Sequence, residues 1–133
     1  RNDIDFYDIQ YTDEDREVID FELKYGIKIK KPENVDTYND IYGLMQFIKS
    51  CDFVVSISNT NAHLAGALGV PTYLLLSKGA GALWYWCNEK DDSNLWYPSI
   101  KKFQQTDYVS WDSPINDLIE SINKTFNLKN DAK

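Results

Sequence analysis

Cysteine, histidine and methionine are nearly missing from this chain of 133 residues, which has two, one and one of them. The cysteines, Cys51 and Cys87, lie in different segments without metal-ligand spacing, and two thiols alone make no zinc site. A reduced, cytoplasmic thiol pair is the expectation. No apolar run approaches the roughly 20 residues that a bilayer span requires, which excludes a membrane-inserted helix. Positive charge is also scarce: 14 Lys and Arg against 21 Asp and Glu leave a formal charge of -7. Such a surface repels polyanions and lacks the footprint of a general nucleic-acid binder, so a small anionic ligand would need local help. The opening residues, RNDIDFYDIQY, contain neither the basic region nor the long apolar region of a signal peptide. They also lack an initiating methionine, and the chain is expected to be a piece of a longer protein.

What is present is a globular composition, 43% hydrophobic and 26% charged. A chain of this size hides about two-thirds of its unfolded surface, enough for one core. The expectation is a single domain over residues 1–128 with a frayed tail at 129–133. Aromatic residues, at 14%, suffice for that core and leave rings to line a pocket.

The order of elements points to an α/β fold. FYDIQY at 6–11 reads as a strand. A helix follows, capped by Thr12 or Asp13, with Val18, Ile19 and Leu23 as its apolar stripe and Gly26 as its stop. IKIKK is a short strand, and residues 38–49 form a helix through Ile41, Leu44, Met45 and Ile48. DFVVSIS is nearly continuous in apolar residues, as expected for a parallel strand covered on both faces. NTNAHLAGALG reads as a helix ending at Gly69, and Pro71 opens a second buried strand, TYLLL. Strand, helix and strand in so few residues imply a right-handed crossover and a parallel sheet. KKFQQ adds a strand with Lys101 and Lys102 facing solvent, and Pro114 to Leu128 closes the chain as an amphipathic helix. The fold class is therefore α/β, a Rossmann-like parallel sheet with helices on both faces.

In such sheets ligands sit beyond the carboxyl ends of the strands, here the turn SISNTNAH and the loop after YLLL. The amides of a first helical turn lack helical partners and can bind phosphate oxygens even in an acidic protein. Asn59 or Thr60 is the expected N-cap, and His63 lies on the same helix face. Two readings stay open: these residues bind an anion, or they cap the helix while His63 packs under a loop. Gly66 is expected to allow close contact between helix and sheet. Gly79 and Gly81 either admit the backbone to a ligand or form a flexible turn. Trp84, Trp86, Trp96 and Tyr97 crowd one loop, where they either stack on a base or sugar or pin the loop as a secondary core. The two glycines of the helix are not a GxGxxG fingerprint, and no P-loop lysine follows either strand.

Taken together, CDFVVSISNTNAHLAGALGVPTYLLL and LWYWCNEKDDSNLWYPSIKKFQQ resemble the carboxyl-terminal Rossmann domain of two-domain (GT-B) glycosyltransferases. The resemblance is to the heptosyltransferase-like branch often attached to tetratricopeptide repeats, which reads D-x-V-I-S-x-D-T-x-x-A-H-L-A-G-A-L-G-x-P, then W-x-W and W-Y-P-S. It covers about Asn39 to Ile119. It implies a nucleoside-diphosphate sugar as partner and no cofactor. The implied donor-binding residues are Ser58, Asn59, Thr60, Asn61 and His63, with the Asn39–Asp40 turn, Gly79 and Trp84 nearby. It also implies an acceptor site and catalytic base on an amino-terminal domain absent from this chain, so the chain by itself is expected not to turn over. No Asp-x-Asp motif is present, which favours a metal-independent transferase; Asp91 and Asp92 read as surface charge. The family usually has aspartate where this chain has Asn59. That departure keeps open a second function, a non-catalytic module that retains the fold and binds a nucleotide, glycan or protein.

Overall fold

The computed structural model describes residues 4–11, 15–79, 83–86 and 94–128. The expected caps Thr12 and Asp13, together with Gly81, Cys87, Asp91, Asp92 and the tail, lie outside the described residues. The chain divides into two compact units, Arg1–Ser50 and Cys51–Lys133.

In the first unit, β1 (Phe6–Tyr7) pairs in parallel with β2 (Ile29–Lys30), and α1 (Asp15–Tyr25) connects them. Gly26 ends α1 with a positive φ of 67°, the left-handed conformation that glycine adopts without a steric penalty. Glu22 then secures the return, since its carboxylate accepts the Ile29 N–H at 2.7 Å. The strand expected over 6–11 shortens to two residues. Ile19 and Leu23 of the expected stripe are exposed, because two strands of two residues each offer a helix little surface. The last helix of the unit, α2 (Ile41–Ser50), begins where Asp40 accepts the Gly43 N–H at 2.8 Å.

The second unit is a three-stranded parallel sheet, β3 (Val54–Ile57), β4 (Thr72–Leu76) and β5 (Ile100–Gln104), in the order β3-β4-β5. Val54 pairs with Thr72, and Thr72 with Ile100. Helix α3 (Thr60–Ala67) forms the crossover between β3 and β4, and α4 (Asp112–Phe126) closes the unit. The two-residue period of β4 divides its side chains between two cores. Leu74 and Leu76 join Ala62 of α3, Trp86 and Ile100 on one face. Tyr73 joins Phe103 with Leu118 and Ile122 of α4 on the other, and Phe53 and Leu75 pack against them. Helices thus cover both faces, and the fold is Rossmann-like α/β.

Two local features follow directly from the sequence. Gly69 takes φ 69°, its amide bonds Gly66 O at 3.1 Å and the Val70 amide bonds Ala65 O at 3.0 Å; this is a Schellman stop. At Gly66 a methyl group would stand 2.6 Å from Tyr97 Cγ and 2.9 Å from Ile100 Cδ1, so only glycine lets α3 approach β5 this closely. One expectation is corrected. Strand β3 is not covered on both faces: Val55 is 47% and Ile57 59% exposed. They share a face with Tyr73 and Leu75 by register, and α4 lies over β4 and β5 rather than over β3.

Candidate functional site

The carboxyl end of β3 runs through Ser56, Ile57 and Ser58 into α3. Asn59 is the N-cap, in extended backbone at φ -154°, ψ -179°. Its Oδ1 accepts the Ala62 N–H at 3.1 Å and the Ser56 hydroxyl at 3.0 Å. Of the two expected caps, Asn59 or Thr60, the structure selects Asn59, and its side-chain oxygen occupies the third amide of the first turn. The exposed Thr60 stands at the first helical position, and its amide has no partner among the described residues. Asn61, the next residue, is half-buried.

Two loop segments close over the helix start. In residues 83–86, Trp86 turns inward and is 1% exposed, while Trp84 is 74% exposed. The Trp86 indole N–H donates to Ser58 Oγ at 2.8 Å, and its ring stacks on the His63 imidazole at 4.6 Å with 27° between planes. In residues 94–97, the buried Asn94 holds the turn: its Oδ1 accepts the amides of Trp96 at 2.8 Å and Tyr97 at 3.0 Å. Its amide group donates across to Tyr85 O at 3.2 Å, tying the two segments together. Tyr97 then brings its hydroxyl to 3.2 Å from His63 Nδ1. Tyr85 and Tyr97 complete the ring cluster at 5.3 and 5.7 Å from the imidazole.

The structure therefore brings Ser58, Asn59, Thr60, Asn61 and His63 together on one corner, with His63 half-buried among aromatic rings. Trp84 belongs to the same cluster through Tyr85, 5.6 Å away in an edge-to-face contact. Gly79, with φ 93°, lies past the end of β4 against Tyr108; a methyl group there would be 3.2 Å from Tyr108 Cε1. Lys78 beside it donates to Thr106 O at 2.7 Å and lies over the Tyr108 ring. Asn39 and Asp40 belong to the first unit. Asn39 donates its side-chain amide to Asp36 at 2.8 Å. That bond and the amides of Asn39 and Tyr38 hold the exposed Asp36 carboxyl below its ordinary value. Trp86, Tyr97 and Asn94 acquire roles at the corner that their positions in an aromatic-rich loop did not reveal. For Asn94, the signal was an Asn two residues before Trp96-Tyr97, the spacing of an Asx turn.

Chemically, the corner offers donors. Ser58 Oγ accepts from Trp86, so its own proton is left to give, and no described residue takes it or bonds His63 Nε2. The positive end of α3 adds to the same polarity. Among the described residues no group of three or more His, Cys, Asp or Glu could hold a metal ion, and no helix is long and apolar enough to cross a membrane.

No family model and no solved structure matches the chain. It is similar to protein FlbA of Caulobacter vibrioides, 30% identical over 107 residues. That match covers 80% of this chain and 17% of FlbA, so the chain spans a small part of that relative's length.

Proposed function

We propose that the second unit is the donor-binding part of a metal-independent glycosyltransferase, holding the diphosphate of a nucleotide-sugar at the start of α3. The observation that carries this reading is the corner itself. Ser58 O–H, the Thr60 amide, His63 and the helix end present hydrogen-bond donors where β3 meets α3. Donors in this arrangement stabilise a nucleoside diphosphate as negative charge builds on it when the sugar departs. The exposed Trp84 ring offers a stacking face for base or sugar. A base on another part of the longer protein would deprotonate the acceptor hydroxyl. The resemblance in the linked motifs around SISNTNAH and LWYP supports the same assignment.

Calorimetry with ADP, UDP, GDP and the corresponding nucleotide-sugars tests it. Weak binding is expected, lowered roughly tenfold or more by His63→Ala and roughly threefold by Ser58→Ala, with both variants folded. Affinity unchanged by both substitutions removes these residues from the site and ends the reading.

A specific observation favours a second reading, a non-catalytic binding module. Asn59 replaces the aspartate of the resembled family, and its Oδ1 is engaged by Ser56 and Ala62, so the corner lacks a carboxylate to orient a sugar hydroxyl. Binding without turnover of any nucleotide-sugar by the full-length protein would favour the module.

A further inference from the structure

The environment of His63 decides which of its nitrogens can serve a ligand. Its Nδ1 faces the Tyr97 hydroxyl at 3.2 Å. A phenol is a much stronger acid than the N–H of a neutral imidazole, whose bare nitrogen is a good acceptor. The favoured arrangement is therefore O–H donating to Nδ1, which leaves the ring proton on Nε2. Both partners are held in place. Tyr97 is anchored by the hydrogen bond that its backbone N–H donates to Asn94 Oδ1, and the root of its ring stands where a side chain on Gly66 would be. The imidazole is stacked on Trp86, and flipping it would set a ring carbon against the Tyr97 oxygen and break the bond.

We propose that Tyr97 is a positioning residue: its hydroxyl locks His63 as the Nε2–H tautomer and so makes Nε2, which no described residue bonds, a permanent donor. Together with Ser58, whose oxygen accepts from Trp86 and whose proton no described residue takes, this makes the corner favour ligands that accept hydrogen bonds, a phosphate oxygen above all. The claim about the ligand rests on the donor-binding reading above; the claim about the tautomer does not.

His63 is the only histidine of the chain, so its imidazole nitrogens are assigned without ambiguity in a long-range nitrogen–proton correlation spectrum of untagged protein. The spectrum is recorded about two pH units above the ordinary histidine value of roughly 6.5. The wild type should show a single Nε2–H tautomer with Nδ1 shifted by an accepted hydrogen bond. In Tyr97→Phe, which keeps the ring against Gly66, that shift should disappear. A proton on Nδ1 in the wild type overturns the proposal, and so does a spectrum that Tyr97→Phe leaves unaltered. Titration with ADP, UDP and GDP should give affinities roughly three- to tenfold weaker in Tyr97→Phe. If no diphosphate binds the wild type, the donor-binding reading fails, while the spectrum still decides the role of Tyr97.

Discussion

Trp86 donates its indole N–H to Ser58 Oγ across 28 residues of sequence, joining the loop after β4 to the turn that ends β3. The same ring lies flat against His63. One buried side chain thus orients both polar residues at the start of α3.

Trp86→Phe removes that bond and part of the ring while leaving an aromatic plane beneath His63. A loss of about 1–3 kcal/mol in urea unfolding is expected, from the missing donor and the space left by the smaller ring. A loss below about 0.5 kcal/mol would mean that the indole bond contributes little to the fold.

Gly66→Ala opposes two effects. Alanine favours the helix by up to about 1 kcal/mol, but its methyl group would press on Tyr97 Cγ and Cβ, the fixed root of the ring rather than a flexible end. Overpacking of this kind costs about 1–3 kcal/mol. The variant should melt below the wild type; equal or higher thermal midpoints would show that α3 and Tyr97 can separate freely.

At Asn59 two substitutions bracket the cap. Asn59→Ala removes the acceptor of the Ala62 amide and should cost about 1 kcal/mol. Asn59→Asp keeps an acceptor and places a negative charge at the positive end of α3, worth about 0.3–1 kcal/mol of added stability. Thermal unfolding should therefore rank Asp above Asn above Ala.

Asp107 accepts the amides of Ser110 at 2.7 Å and Val109 at 2.8 Å. These bonds, Ser110 first, hold its carboxyl below the ordinary aspartate value. A carboxyl lowered in the folded state adds stability above its unfolded value and loses it as pH falls through the folded one. The stability advantage of wild type over Asp107→Asn should thus be fully present at neutral pH and narrow as the solution is acidified below the aspartate range. A gap that stays constant down that acid limb would contradict the assignment.

Much of the second unit is legible along the chain. The run TYLLL, the cap at Asn59, the stop at Gly69 and the apolar spacing of α4 are local signals, and each corresponds to an element found in the structure. The FYDIQY run was less informative: its β propensity extends over six residues, but pairing with β2 reaches only Phe6 and Tyr7. Propensity indicates what a segment tolerates, and the number of residues that pair depends on the neighbour. The continuous apolar character of β3 likewise indicated burial without showing that its strand would stand at the end of the sheet, with Val55 and Ile57 exposed. For the candidate site, the polar turn before α3 was visible as composition, whereas its closed third amide depended on the side-chain geometry of Asn59.

By itself the sequence determined the alternation of strands and helices, the parallel class of the sheet and the polar turn between β3 and α3, since periodicity, caps and glycine stops act over a few residues. Only the tertiary structure decided which rings turn inward. Trp86 goes under His63 and Trp84 stays outside, and Tyr97 reaches back 34 residues to the imidazole. Contacts at such separation depend on how the loops return across the sheet, a property of the packed chain and not of any local pattern.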